Sequence, residues 1–222
     1  MNHTISQKGY KGMGMEGAVA RWYASQTHKS LDEFKSLARR IAGEIAPESA
    51  VLEVAPGPGY FAIELAKLGA YRVTGLDISR TFVDIARRNA GDARVQVDFR
   101  HGDASDMPFA DNSFDFLLCR AAFKNFSRPV AAIEEMYRVL KPSGRAVIMD
   151  LRRDASKASI AQLVQGMRLG AVNAAITKLT FRFLLLKRAY TRKQLEDMVA
   201  QTKFRAAKIK EDVIGFEVWL QK

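Results

Sequence analysis

Apolar residues along the first fifty positions recur at helical spacing. Leu31, Phe34, Leu37, Ala38, Ile41 and Ile45 lie three or four residues apart and predict a helix over Leu31 to Ile45, closed by Pro47. Gly17 to Ser25 also reads as helical. The period then changes. Val51–Val54 is a short continuous apolar run, the mark of a buried strand, and helix Phe61–Leu68 follows it, ended by Gly69. A second run, Tyr71–Leu76, precedes helix Thr81–Asn89, which Ser79 caps and Gly91 ends. Val95–Phe99 alternates and predicts strand three. Asp111-Asn112-Ser113 is a turn into Phe114–Cys119, a continuous apolar strand suited to the centre of a parallel sheet. A helix runs from Pro129 to Leu140, exits through Pro142-Ser143-Gly144, and Arg145–Asp150 is strand five.

Strands alternating with helices in this way predict an α/β fold, a doubly wound, Rossmann-like and mostly parallel sheet. The pattern breaks after Asp150. Ser156 to Leu186 is a long, mostly helical stretch with a polar break near Asn173. Thr191 caps a helix over Arg192–Ala200, and Phe204–Lys210 and Phe216–Leu220 read as two closing strands, one of them antiparallel. The expected organisation is a flexible arm over 1–14 and one domain over 15–222. Residues 15–47 form N-terminal cap helices, and 156–186 form a helical insertion after strand five. As a lid, that insertion would stand beside the carboxyl ends where such sheets bind ligands. It also fits a dimer contact, giving a homodimer, or a membrane-surface helix.

Composition narrows the classes. The 222 residues suit one domain with a sizeable core. A single cysteine excludes an internal disulfide and fits a reducing, cytoplasmic setting. The polar segment Met1 to Gly14 lacks the apolar core of a signal peptide, and no apolar run is long enough to span a membrane. The net charge of +11 is uneven: residues 151–222 carry a balance of +9 and residues 1–150 only +2. Such a face is usually just solvated, but it keeps nucleic acid as a second partner class behind a small-molecule acceptor. No nucleic-acid-binding motif accompanies it.

The chemistry concentrates in Val51-Leu52-Glu53-Val54-Ala55-Pro56-Gly57-Pro58-Gly59-Tyr60, a strand, a turn with two glycines and a helix start. Asp77 closes the next strand, 24 positions after Glu53. Glycine lets backbone approach a ligand closely, and an acid ending the next strand accepts hydrogen bonds from ribose hydroxyls. A glycine turn alone also fits a nicotinamide cofactor. Glu53 inside strand one, and Gly102-Asp103-Ala104 after strand three, fit a cofactor with a free amino group and an exposed adenine better.

With Gly75-Leu76-Asp77-Ile78-Ser79, Gly102 to Phe109, Phe114-Asp115 and Arg138-Val139-Leu140-Lys141-Pro142-Ser143-Gly144, the stretch from about Ala50 to Asp150 resembles the class I S-adenosylmethionine-dependent methyltransferases. Within them it is similar to the ubiquinone/menaquinone-biosynthesis group. The resemblance implies a seven-stranded sheet, S-adenosylmethionine as methyl donor with S-adenosylhomocysteine as product, in-line methyl transfer to a small molecule, and no metal. It implies that Glu53 anchors the methionine amino end, and that Ala55, Gly57 and Gly59 pass beneath the cofactor. Asp77 takes the ribose hydroxyls and Ile78 packs on adenine. Asp103 accepts from the adenine amino group, Ala104 supplies a backbone N–H, and Cys119 and Arg120 line the methyl-transfer region.

Three departures stand out. Ala55 occupies the usual first loop glycine and would need an ordinary φ. Pro56 and Pro58 stiffen the loop. No histidine stands near Lys124, where some relatives carry one. For a general base His28, His101 and Lys124 are the candidates, each ordinarily a surface residue. Tyr23 and Trp22 on the N-terminal helix are expected near the methionine end or acceptor pocket, or as packed core aromatics. Cys119-Arg120-Ala121-Ala122 lacks the Pro-Pro-aromatic segment of amino-methylating DNA enzymes and the paired glutamates of protein-arginine enzymes. Cys119 also lacks the neighbouring proline of cytosine-carbon enzymes. RNA methylation and a non-methylating S-adenosylmethionine binder remain open.

Overall fold

The structure is a computed structural model that describes residues 9–11, 14–166 and 185–222. Helices α1 (Gly17–Thr27) and α2 (Leu31–Ala42) precede the sheet. Then come β1 (Ala50–Val54), α3 (Tyr60–Ala66), β2 (Arg72–Asp77), α4 (Arg80–Asp92) and β3 (Asp98–His101). β4 (Phe114–Arg120), α5 (Pro129–Val139) and β5 (Leu140–Leu151) follow. The chain ends with α6 (Lys157–Gly166), α7 (Arg192–Ala200), β6 (Lys208–Glu211) and β7 (Gly215–Gln221). The seven strands lie in the order β3-β2-β1-β4-β5-β7-β6, the first five mutually parallel. β7 runs antiparallel to both β5 and β6. The doubly wound sheet expected from the pattern is therefore present, with β7 as the antiparallel strand.

Period-two alternation sorts side chains to the two faces of the sheet. Val51 joins Phe116, Leu118 and Val147 under α2, α3 and α4, while Leu52 and Val54 join Leu117, Ile148 and Val218 under α5 and α7. Glu53, two residues on from Val51, is thereby turned toward α3. This single parity puts a carboxylate inside the protein. The first five strands have their carboxyl ends on one edge, and the order reverses between β1 and β4. In such sheets that reversal opens a crevice for ligands.

Two segments differ from their predicted bounds. Strand three was expected over Val95–Phe99, but pairing begins at Asp98, opposite Thr74. Arg94, at φ +55°, spends the intervening residues in turning out of α4. The strand expected from Phe204 starts at Lys208, because Arg205 takes a left-handed φ of +61°. Most of the expected insertion over 156–186 lies outside the described residues, and with it the lid, dimer and membrane-surface readings. Among the described residues no helix is long and apolar enough to cross a membrane.

The motif pair Phe114-Asp115 and Arg138–Gly144 has a structural use. Asp115 accepts from Ala50 N at 2.8 Å and from Lys141 Nζ at 2.8 Å, tying the starts of β1, β4 and β5 together. Arg138 donates to Glu135 and to the carbonyls of Met107 and Phe109. Asp115→Ala should lower unfolding free energy by about 1 kcal/mol in urea titration, the ordinary net worth of such bonds, without changing the far-ultraviolet spectrum of the fold.

Candidate functional site

The loop from β1 to α3 is a zigzag. Ala55, Gly57 and Gly59 take φ of +56°, +55° and +80°. Pro56 and Pro58 alternate with them, and a proline ring holds its own φ near −65°. Each left-handed step reverses the direction set by the proline beside it. Ala55 therefore does not take the ordinary φ expected of it. Its N–H donates to Leu76 O at 2.8 Å, which fixes the turn at the place where L side chains are least at ease. Left-handed geometry costs an alanine about 1 kcal/mol. Gly59 could not be anything larger. A Cβ there would come within 2.6 Å of the Phe99 ring and 2.9 Å of Ala86.

Asp77 closes this loop from the second strand. Its Oδ2 accepts from Gly57 N at 2.9 Å and its Oδ1 from Ser79 N at 2.8 Å, so one carboxylate joins the first loop to the start of α4. It is only 5% exposed. Burial pushes its pKa up to about 6, against the opposing pull of the backbone bonds. Glu53, 4% exposed, accepts from Ala62 N at 3.0 Å, an amide in the first turn of α3 with no helical partner. That is its one hydrogen bond among the described residues. Burial raises its pKa to about 8, with the Ala62 amide and the Arg120 charge pulling the other way.

Asp103 stands beyond β3, where Gly102 N donates to Asp77 O at 3.0 Å and so draws the two acids' loops together. Burial would raise its carboxyl, but Ser105 and Arg128 outweigh this and hold it below the usual range. Oδ1 accepts from Ser105 N and Oγ, and Oδ2 from Arg128 Nη2 at 3.1 Å. Ile78, half-buried, sits between Asp77 and the α4 cap Ser79, and Ala104 lies half-buried beside Asp103. Cys119 is fully covered at the end of β4, and burial drives its thiol pKa well up, so it is no thiolate nucleophile. Arg120 extends sideways over the Phe34 ring at 4.6 Å and reaches Glu33 at 3.3 Å.

The catalytic candidates separate. Tyr23 is largely buried, its ring 5.8 Å from Phe82. Burial raises its phenol pKa, and it feels the charges of Arg120, Asp150 and Asp77. Its ring packs against α4 with Ala20, Ala24 and Ile85. Trp22, expected nearby, is 64% exposed on α1 and is not a packed core aromatic. His28 is exposed with its ring 5.7 Å from Tyr60, and His101 is exposed at the end of β3. Lys124, expected at the surface and as a weak candidate base, is buried. Its Nζ donates to Asp150 Oδ1 at 2.8 Å and to Ala121 O at 2.6 Å. Both bonds hold the Lys124 side chain inside the turn after β4 rather than in the open crevice. Sequence reasoning missed this pair because its partners lie 26 residues apart and only the β4–β5 pairing brings them together.

Comparison with known proteins bears on this arrangement. Residues 52–148 match the family model of the methyltransferase domain. The chain is 39% identical over 107 residues to the demethylmenaquinone methyltransferase of Deinococcus radiodurans, covering 48% of this chain and 44% of that protein. It is 40% identical over 112 residues to the demethylmenaquinone methyltransferase of Clavibacter sepedonicus, covering 50% and 44%. The matches thus span about half the length of these curated relatives. Among solved structures, a Methanococcus maripaludis protein assigned as an S-adenosyl-L-methionine-dependent methyltransferase superposes with a TM-score of 0.75. That superposition covers 97% of each chain at 18% identity, a likeness of fold.

Two measurements probe this geometry. Ala55→Gly should relieve the left-handed strain and raise the thermal midpoint, the gain staying below about 1 kcal/mol because glycine also frees the unfolded chain. For Glu53 and Asp77 the folded state holds protons more tightly than the unfolded chain does. Their contribution is fully present below pH 4.5 and 3.8 and is lost as pH rises to about 8 and about 6 respectively. Glu53→Gln should flatten the stability–pH profile of the ligand-free protein between pH 6 and 8 in urea titrations; an unchanged slope would mean that Glu53 is already ionised.

Proposed function

We propose that the chain, whose residues 52–148 match a methyltransferase-domain model and lie on a doubly wound sheet, transfers a methyl group from S-adenosylmethionine to a small-molecule acceptor. One observation carries the reading: two buried carboxylates, Glu53 and Asp77, end adjacent parallel strands and flank one left-handed loop, Asp77 bonding directly to Gly57 N. A buried acid raised to about 8, with a single amide partner among the described residues, is short of positive charge. The ammonium of a methionyl end would supply it, and burial of an unpaired charge is otherwise costly. A nicotinamide dinucleotide has no such ammonium. Asp77 retains free lone pairs for the ribose diol, Ile78 offers an apolar face to adenine, and Asp103, held ionised by Arg128, accepts from its amino group. The loop Ala55 to Gly59 gives backbone without obstructing side chains at Gly57, where a Cβ would meet nothing within 4 Å.

When bound, the cofactor supplies a sulfonium methyl that is already activated. The chain's own task is to orient the acceptor and exclude water, and proximity can contribute roughly 7–11 kcal/mol in favourable cases. Cys119 and Arg120 end the strand that borders the transfer region, and Tyr23 of α1 feels the charge of Arg120. Lys124 and Asp150, paired at 2.8 Å, brace the turn after β4. For the acceptor, the relatives' names support a quinone-type ring. A soluble methyl donor and a lone buried thiol support a cytoplasmic setting.

Calorimetry against S-adenosylmethionine, S-adenosylhomocysteine and NAD tests the cofactor. The first two should bind and NAD should not; tighter NAD binding would sink the proposal. Asp77→Ala should weaken S-adenosylhomocysteine by about 1–3 kcal/mol, the loss of charge-assisted bonds, while the protein still melts cooperatively.

A further inference from the structure

The described residues before α1 are held on both sides of the crevice. At one end Lys11 N donates to Asn125 O at 2.6 Å, Ser127 N donates to Gly9 O at 3.3 Å, and Tyr10 forms a bridge with Phe126. Lys11 Nζ also donates to Tyr190 Oη at 2.7 Å. These partners follow β4. At the other end Ser79 Oγ donates to Met15 O at 2.6 Å, and Gly17 N donates to Thr81 Oγ1 at 3.0 Å. The Glu16 carboxylate accepts from Arg80 N at 2.9 Å and Thr81 N at 3.0 Å, taking up amides at the start of α4. These partners follow β2. In the sheet β1 lies between β2 and β4, so the two anchorages stand on either side of the Ala55–Gly59 loop. Gly9 lies directly against the residues assigned to adenine. A Cβ on it would overlap Ile78 Cδ1 and come within 2.6 Å of Asp103 Oδ2.

We infer that Gly9–Lys11 and Gly14–Gly17 are the two anchored ends of a strap that forms the outer wall of the adenine end of the cofactor site, and that Gly9 is a positioning residue for adenine because only a residue without a side chain lets Ile78 and Asp103 hold their places. The inference rests on the S-adenosylmethionine reading above. Gly9 acts through its two neighbours. A side chain there would push Ile78 inward or displace the carboxylate that Arg128 and Ser105 hold. Glu16 acts through the α4 N-terminus, keeping the strap down across the same crevice. Seated in this way, the strap has to lift for cofactor to enter or leave. Cofactor binding should then order it.

The test uses the full chain and S-adenosylhomocysteine as probe. Gly9→Val should raise its dissociation constant about tenfold, and Glu16→Gln should speed its dissociation about tenfold in stopped-flow displacement, each with a thermal midpoint within about 2 °C of the parent. Hydrogen exchange gives an independent readout. The amides of Lys11 and Gly17, which donate to Asn125 O and Thr81 Oγ1, should slow on binding S-adenosylhomocysteine. Parent-like affinity and dissociation in both variants, or unchanged exchange at both amides, would overturn the strap while leaving the cofactor reading intact. Tighter binding by Glu16→Gln would also overturn it, since the segment would then be a plug in the adenine site and not its wall. Failure of the parent protein to bind S-adenosylhomocysteine would overturn the cofactor reading and this inference with it.

Discussion

Burial of two carboxylates on the carboxyl edge of the sheet is the constraint around which the crevice is built. Parity along β1 sends Glu53 inward with Val51, and β2 ends on an acid rather than on another apolar residue. Each acid would be expensive alone. Each is therefore given backbone amides that no helix or sheet uses: Ala62 N for Glu53, and Gly57 N and Ser79 N for Asp77. Among the described residues no lysine or arginine stands at bonding distance from either, as Lys124 does from Asp150. Both acids stay raised, by burial above all. Stability is given up at a site kept short of cations, and a cationic ligand is what would recover it.

The loop follows from the same constraint. For Gly57 N to point at Asp77, the chain must turn sharply between β1 and α3, and three left-handed residues separated by two prolines achieve that turn with little freedom left in the unfolded loop. Ala55 carries the strain of this arrangement. Asn89 Nδ2, donating to Pro58 O at 2.8 Å, fastens the far side of the loop to α4. Loop, α4 and both acids are thus bonded into one unit, and the residues before α1 are latched to that unit through Ser79 and Thr81.

Much of this was legible in the sequence because it is written locally. Continuous apolar runs marked β1, β2 and β4, and Ser79 and Thr191 are the observed caps of α4 and α7, each accepting from an amide in the first turn. Glu53 and Asp77 were legible as acids at strand ends. The illegible parts depend on distant partners or on backbone signs that residue type does not fix. Alanine is permitted at ordinary φ, so nothing short of the turn itself shows that Ala55 is left-handed. Gly9 to Lys11 pair with residues more than a hundred positions away and show no alternation. Arg94 and Arg205, both left-handed, moved two strand starts that hydrophobic pattern alone would put earlier.

The basic C-terminal third is the feature that sequence reading weighs most uncertainly, and its described cations show where charge goes. Arg152 reaches both Asp154 and Glu211, Arg192 reaches Glu196 and Glu211, and Lys193 reaches Asp197. Arg153 donates to the carbonyls of Ala189 and Lys187, and Lys222 to those of Arg138 and Leu140. Lys203 and Lys210 lie near the rings of Tyr137 and Trp219. Side chains committed to carboxylates, carbonyls and rings within the fold have donors in use and geometry set by those partners. A surface that tracks phosphates needs donors held outward and in sequence. Here these described cations close the end of the chain onto β5, β6 and α7, while Lys157, Lys187, Arg188, Arg205 and Lys208 stay exposed to solvent.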